Sequence, residues 1–178
     1  LTHLSDFSRQ ACAEPITILP DGSIPQVGIT STGLNGNPLN DYGTYPAPIA
    51  CHISSSSPMP HGSSKDKTKF PTVWSDEKDR FITNITDGTR IGFKTFDFKG
   101  GLYELTVQTR GSAVGYLRIC LDEAGDLEVG KMQLIPSENW RFDVVRIESS
   151  AGEFPLFFHY QGEGESSLLA FQLKPVRI

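Results

Sequence analysis

The stretch FITNITDGTRIGFKTFDF, Phe81 to Phe98, decides the fold. Two short apolar runs hinge on Asp87-Gly88, a strong turn signal because Gly takes positive φ at no steric cost and Asp can hydrogen-bond its own backbone. Beyond the turn, Ile91, Phe93 and Thr95 point one way and Gly92, Lys94 and Phe96 the other, the period-2 alternation of a strand with one buried face. The pattern recurs downstream. In GLYELTVQTR, Tyr103, Leu105 and Val107 alternate with Glu104, Thr106 and Gln108; in VGYLRICLD, Leu117, Ile119 and Leu121 alternate with Tyr116, Arg118 and Cys120. Further strands are expected at Leu127 to Leu134, Arg141 to Glu148, Pro155 to Tyr160 and Ser167 to Val176. Turn clusters separate them at the spacing of a sandwich, and no segment carries a long helical period. The expected fold is all-β, two antiparallel sheets packed face to face.

A chain of 178 residues has room for one core and an appendage. Its formal charge of -5 argues against nucleic acid and anionic membrane surfaces as partners. No apolar run reaches the roughly 18 residues of a membrane span, and the start lacks the pattern of a signal segment. Because the chain opens on Leu1, it is expected to have been trimmed, cleaved or cut from something longer. Cys12, Cys51 and Cys120 are too few and scattered for a disulfide scaffold or a zinc site, and are expected as small buried hydrophobes.

Residues 1–46 are dense in Gly, Pro, Asn and Ser, with Arg9 against Asp6, Glu14, Asp21 and Asp41. ACAEPITIL and SIPQVGIT flank Pro20-Asp21-Gly22, which predicts a hairpin; two strands alone are marginal in water, so it must lean on something else. Residues 55–69 read as a surface loop or short linker. The acidic run SDEKDR is expected as a solvated turn. The histidines at 3, 52, 61 and 159 are scattered, His159 being expected on a strand face, and no nucleophile triad, phosphate loop or His-Glu metal motif occurs.

From about residue 47 to the end, four stretches in order resemble a family 6 carbohydrate-binding module: ITNITDGTRIGFKTFDF, GLYELTVQTRG, GYLRICLDEAGDLEVGKMQL with SENWRFDVV behind it, and FPLFFHYQGEGESSLLAFQL. The segment SRQACAEPITILPDGSIPQVGITSTGL is similar to the end of the catalytic propeller of family 43 glycoside hydrolases. The resemblance implies a jelly-roll sandwich over 47–178 and a propeller hairpin and linker over 1–46. The chain would be a piece of an extracellular or periplasmic enzyme acting on xylan or arabinan.

That resemblance also nominates a site. Trp140 holds the place of one aromatic wall of the end-loop cleft, or equally is a partly buried core residue with its N–H satisfied; Asn84 stands where an opposing ring is expected, and Ser167 stands nearest the place of a cleft amide. Asn84 hydrogen-bonds but cannot stack, so weak oligosaccharide binding is expected. Tyr116, with Glu104 or Gln108, offers a sheet-face alternative. The calcium site of many such modules lacks its acids: the first strand, APIACHISS, has none, and the last offers Leu169 and Ala170. No cofactor and no catalytic residue is expected, since the carboxylate pair of an inverting hydrolase belongs to propeller blades outside this chain. The remaining expected partner is that propeller.

Overall fold

The computed structural model describes residues 13–56 and 70–176. Ten strands are formed among them: β1 (Leu39–Asn40), β2 (Gly43–Pro46), β3 (His52–Ser54), β4 (Thr72–Ser75), β5 (Arg80–Ile85), β6 (Arg90–Gly111), β7 (Val114–Cys120), β8 (Glu128–Leu134), β9 (Ser137–Glu163) and β10 (Ser166–Pro175). Among the described residues, two short 3₁₀ turns, Gly33–Asn35 and Ala47–Ile49, are the only helical pieces between these strands.

The hydrogen bonding differs in one respect from two separate sheets. β6 and β9 are long and pair antiparallel along nearly their whole lengths, from Arg90↔His159 to Gly111↔Ser137, so the ladder is continuous. Each contributes one part to either layer. In the first layer the later part of β6 lies between β10 and the start of β9, with β5 and β2 along the other edge of β10. In the second, the first part of β6 pairs with β3 and with the end of β9, which continues into β7 and β8.

The layers meet through aromatic rings. Phe171 of β10 has Val107 and Tyr45 as ladder neighbours, yet its ring lies 4.8 Å from Phe93 and 5.3 Å from Phe158, across the sandwich. The alternation after Asp87-Gly88 holds only as far as Phe93. The β6–β9 register shifts between Phe93 and Phe96, so Phe96 enters the same core instead of pointing away. Such an extra residue lets a long strand bend and change layers while both aromatic rings stay inside. The Phe-Asp-Phe ending then makes sense: Phe96 and Phe98 are buried, and Asp97 between them reaches Lys99 at the surface.

Residues 39–46, in the expected extension, join the sandwich. β1 pairs with β6 in parallel, β2 pairs with β10, and Asp41 is buried against the Tyr103 hydroxyl, which donates to it at 2.7 Å. Burial, reinforced by that bond, pushes the Tyr103 pKa up to about 12. Residues 13–31 are different. The Pro20-Asp21-Gly22 turn forms, with Gly22 at φ +82° and Asp21 accepting from the Ser23 backbone N–H, and Glu14 takes the Thr30 N–H at 2.6 Å. Its flanks carry no strand ladder, and Ile16, Ile18, Ile24 and Ile29 are exposed. Cys12, His3, His61 and nearly all of the expected 55–69 loop lie outside the described residues. Cys120 is fully buried, which raises its thiol pKa to about 11, whereas Cys51 is only partly covered.

Candidate carbohydrate-binding site

Trp140 sits near the start of β9, half-buried, and its bonding capacity is spent inside the protein. Its indole N–H donates to Asp79 at 2.9 Å, and its ring meets Phe81 edge to face at 5.3 Å. The Arg110 guanidinium stacks 4.2 Å from the Trp140 centroid and 4.7 Å from that of Phe81. Arg110 in turn donates to Asp76 at 3.2 Å. Asp76 also accepts the Lys78 and Asp79 backbone N–H groups, and these bonds hold its pKa below the ordinary carboxylate range. The run expected as a solvated turn is thus a clamp on Trp140 and Arg110.

Ser167 lines a recess of about 490 Å³ together with Arg110, Ser137, Glu138 and Glu165, at the end of the sandwich where β6, β9 and β10 meet. Its hydroxyl pairs with that of Thr83 at 3.0 Å. The fold therefore brings Ser167 and Trp140 to the same neighbourhood through Arg110, which touches both recess and ring. Asn84, beside Thr83 on β5, does not line this recess. It takes φ +57°, a conformation Asn tolerates better than most residues, and its amide donates to the Phe70 carbonyl at 3.1 Å. Tyr116 is elsewhere: it stands on the outer face of β7, 45% exposed, with the Lys131 ammonium 4.2 Å over its ring. Glu104 and Gln108, on the part of β6 in the other layer, do not share its face.

Chain order does not mark Arg110, Asp76 and Asp79 as a unit, because 34 residues separate the first pair and 61 part Asp79 from Trp140. Chemically, the recess presents serine hydroxyls, two carboxylates and one arginine, a set suited to sugar hydroxyls. It does not hold two facing rings. Among the described residues there is no group of three or more His, Cys, Asp or Glu side chains placed to hold a metal ion, and no helix long and apolar enough to cross a membrane.

No family model matches the chain. It is 35% identical over 97% of its length to a xylosidase/arabinosidase of Thermoclostridium stercorarium, of which it spans 38%. A family 6 carbohydrate-binding module of Clostridium cellulolyticum, solved with xylose, superposes with a TM-score of 0.59 at 13% identity, over 76% of this chain and 98% of that one. A family 43 arabinoxylan arabinofuranohydrolase of Bacillus subtilis, solved with cellotetraose, superposes with a TM-score of 0.58 at 20% identity, over 92% of this chain and 33% of that one. The chain thus has the fold of a family 6 carbohydrate-binding module and resembles, over nearly its whole length, part of a xylosidase/arabinosidase.

Proposed function

We propose that the chain is a non-catalytic, carbohydrate-binding accessory module of a family 43 hydrolase acting on xylan or arabinan, outside the cell or in the periplasm. One observation carries this reading. A free-standing sugar module is matched over 98% of its length by part of this chain, while the chain spans only 38% of its xylosidase/arabinosidase relative. The Arg110–Ser167 recess orients sugar hydroxyls, and Trp140 offers whatever apolar surface Arg110 leaves uncovered. Oligosaccharide binding there is weak, because one partly occupied ring contributes on the order of 1 kcal/mol against the cost of ordering a flexible ligand. No metal or other cofactor is required.

The exposed isoleucines of residues 16–29 favour a second role beside the first: docking of this segment on the catalytic propeller of the parent enzyme. Both roles predict that the purified chain turns over no aryl-xyloside or aryl-arabinoside, with calcium or with EDTA present. Turnover lost on replacing one acid of this chain would overturn the non-catalytic reading.

A further inference from the structure

A second recess, of about 390 Å³, opens on the outer face of the other layer, between the strands carrying Ser54, Arg90, Arg118 and His159. Its volume lies within the range of small-molecule sites. His159 is the key to it. Its side chain is only 5% exposed, yet Nε2 has no hydrogen-bond partner, the sole such buried side-chain atom among the described residues. Buried polar atoms are nearly always paired, so an orphan lining a recess marks a missing partner.

The charges around it are committed unevenly. Arg118 is bound to Glu128 and donates to the Gly125 carbonyl at 2.8 Å. Asp122 accepts the backbone N–H groups of Gly125, Asp126 and Leu127, and Glu123 faces His52 at 3.7 Å. The Arg90 guanidinium lines the recess with no ion-pair or hydrogen-bond partner among the described residues. Ser54, whose hydroxyl pairs with His52, Thr89, whose hydroxyl takes the Thr86 N–H, and Gln161 supply further polar groups of the wall, and among the described residues no acid lines it.

We propose that this recess binds the carboxylate of a sugar acid, a hexuronate, paired to Arg90 with His159 beside it and the ring hydroxyls on the serine, threonine and glutamine groups. One free guanidinium suits a singly charged carboxylate; a phosphate dianion would need Arg118, which Glu128 already neutralises. The sugar part of the assignment rests on the carbohydrate-binding reading above, whereas the carboxylate part rests on Arg90 and His159 alone. Burial, with Arg90 and Arg118 acting the same way, holds the His159 pKa below its ordinary value. The charged and titratable groups facing it are Arg90 from β6, Arg118 and Asp122 from β7 and its following turn, and His52 from β3. A carboxylate added there favours the imidazolium, so binding takes up a proton and tightens as pH falls.

The test is a titration of the full chain, followed by NMR, with sodium glucuronate, galacturonate, glucose, xylose, acetate and inorganic phosphate. The uronates are expected to shift the signals of Arg90 and His159 and to bind about tenfold or more tighter than glucose. Arg90→Gln removes that preference, and the uronate affinity of the native chain rises between pH 7.5 and 5.5. His159→Gln flattens that rise; should the variant not fold, the Arg90 and native-chain arms still decide. Glucose matching glucuronate, or an Arg90→Gln variant that keeps the preference, would overturn the carboxylate site. Acetate or phosphate matching glucuronate would overturn the sugar acid. If xylo-oligosaccharides bind nowhere while glucuronate still perturbs Arg90, the Trp140 site has failed and this one stands.

Discussion

The two recesses stand on opposite layers of one sandwich and differ in what their polar groups already do. Around Trp140 the valences are met internally: indole to Asp79, Arg110 to Asp76, Asn84 to the Phe70 carbonyl, Ser167 to Thr83. Around His159 they are met only in part: Ser54 pairs with His52, Thr89 takes the Thr86 N–H and Arg118 is bound to Glu128, but Nε2 is orphaned and the Arg90 side chain is unpaired among the described residues. A ligand entering the first recess must compete with bonds the protein has made, whereas an anion entering the second completes the two that His159 Nε2 and Arg90 lack. A tryptophan in a cleft is therefore poor evidence of a stacking platform until its faces and its N–H have been accounted for.

Both recesses hang on the aromatic core, so removing the core should abolish the contrast altogether. Phe171→Ala deletes the ring that packs on Tyr45 beside it in the same layer and on Phe93, Phe96 and Phe158, and is expected to cost about 3–5 kcal/mol in denaturant unfolding. A cost below about 1 kcal/mol would show that the layers are not held together there.

A smaller change should separate the two sides. Phe157 lies fully buried over Gly92, where a Cβ would stand 2.7 Å from the ring's Cζ. Gly92→Ala therefore displaces Phe157, whose edge-to-face neighbour is His52, at a cost of about 1–3 kcal/mol. Its NMR shifts should concentrate at His52, Phe157 and His159 and leave the Trp140 indole signal in place. Equal disturbance of Trp140 would mean that the recesses are not independent.

The smallest effect is a pH dependence. His159 has a lowered pKa in the folded chain, so the unfolded chain takes up its proton first as pH falls. The stability this histidine contributes is present above about pH 6.5 and is lost as pH falls through the folded-state value. Thermal melts should fall modestly between pH 7.5 and 5.5, and His159→Gln should shrink that fall. An unchanged slope in the variant would place the titration elsewhere.

Alternation along GLYELTVQTR and VGYLRICLD was enough to read the all-β sandwich, because one buried face per strand imposes period 2 directly on sequence. What it could not show was the continuity of β6 and β9. The paired glycines of Lys99-Gly100-Gly101 would suit a chain reversal, yet the ladder runs through them, with Lys99 opposite Ala151 and Gly101 opposite Ser149. The register shift before Phe96 likewise leaves no local mark. His159 was legible as a strand-face residue, but its burial depends on the 122–126 turn, which packs Gly125 against it, and such coverage is a tertiary fact. Trp140 could be located by resemblance, while its clamp joins residues from β6, β9 and the turn before β5 that no spacing rule connects.

The most direct test of the central contrast is calorimetric titration of the native chain and of Trp140→Ala with xylo- and arabino-oligosaccharides. A largely self-satisfied Trp140 recess predicts a dissociation constant around the millimolar range, about -4 kcal/mol, and no binding at all would remove the sugar site there. Micromolar affinity abolished by Trp140→Ala would contradict it, showing that sugar displaces the Arg110 and Asp79 contacts and that the recess is a working cleft.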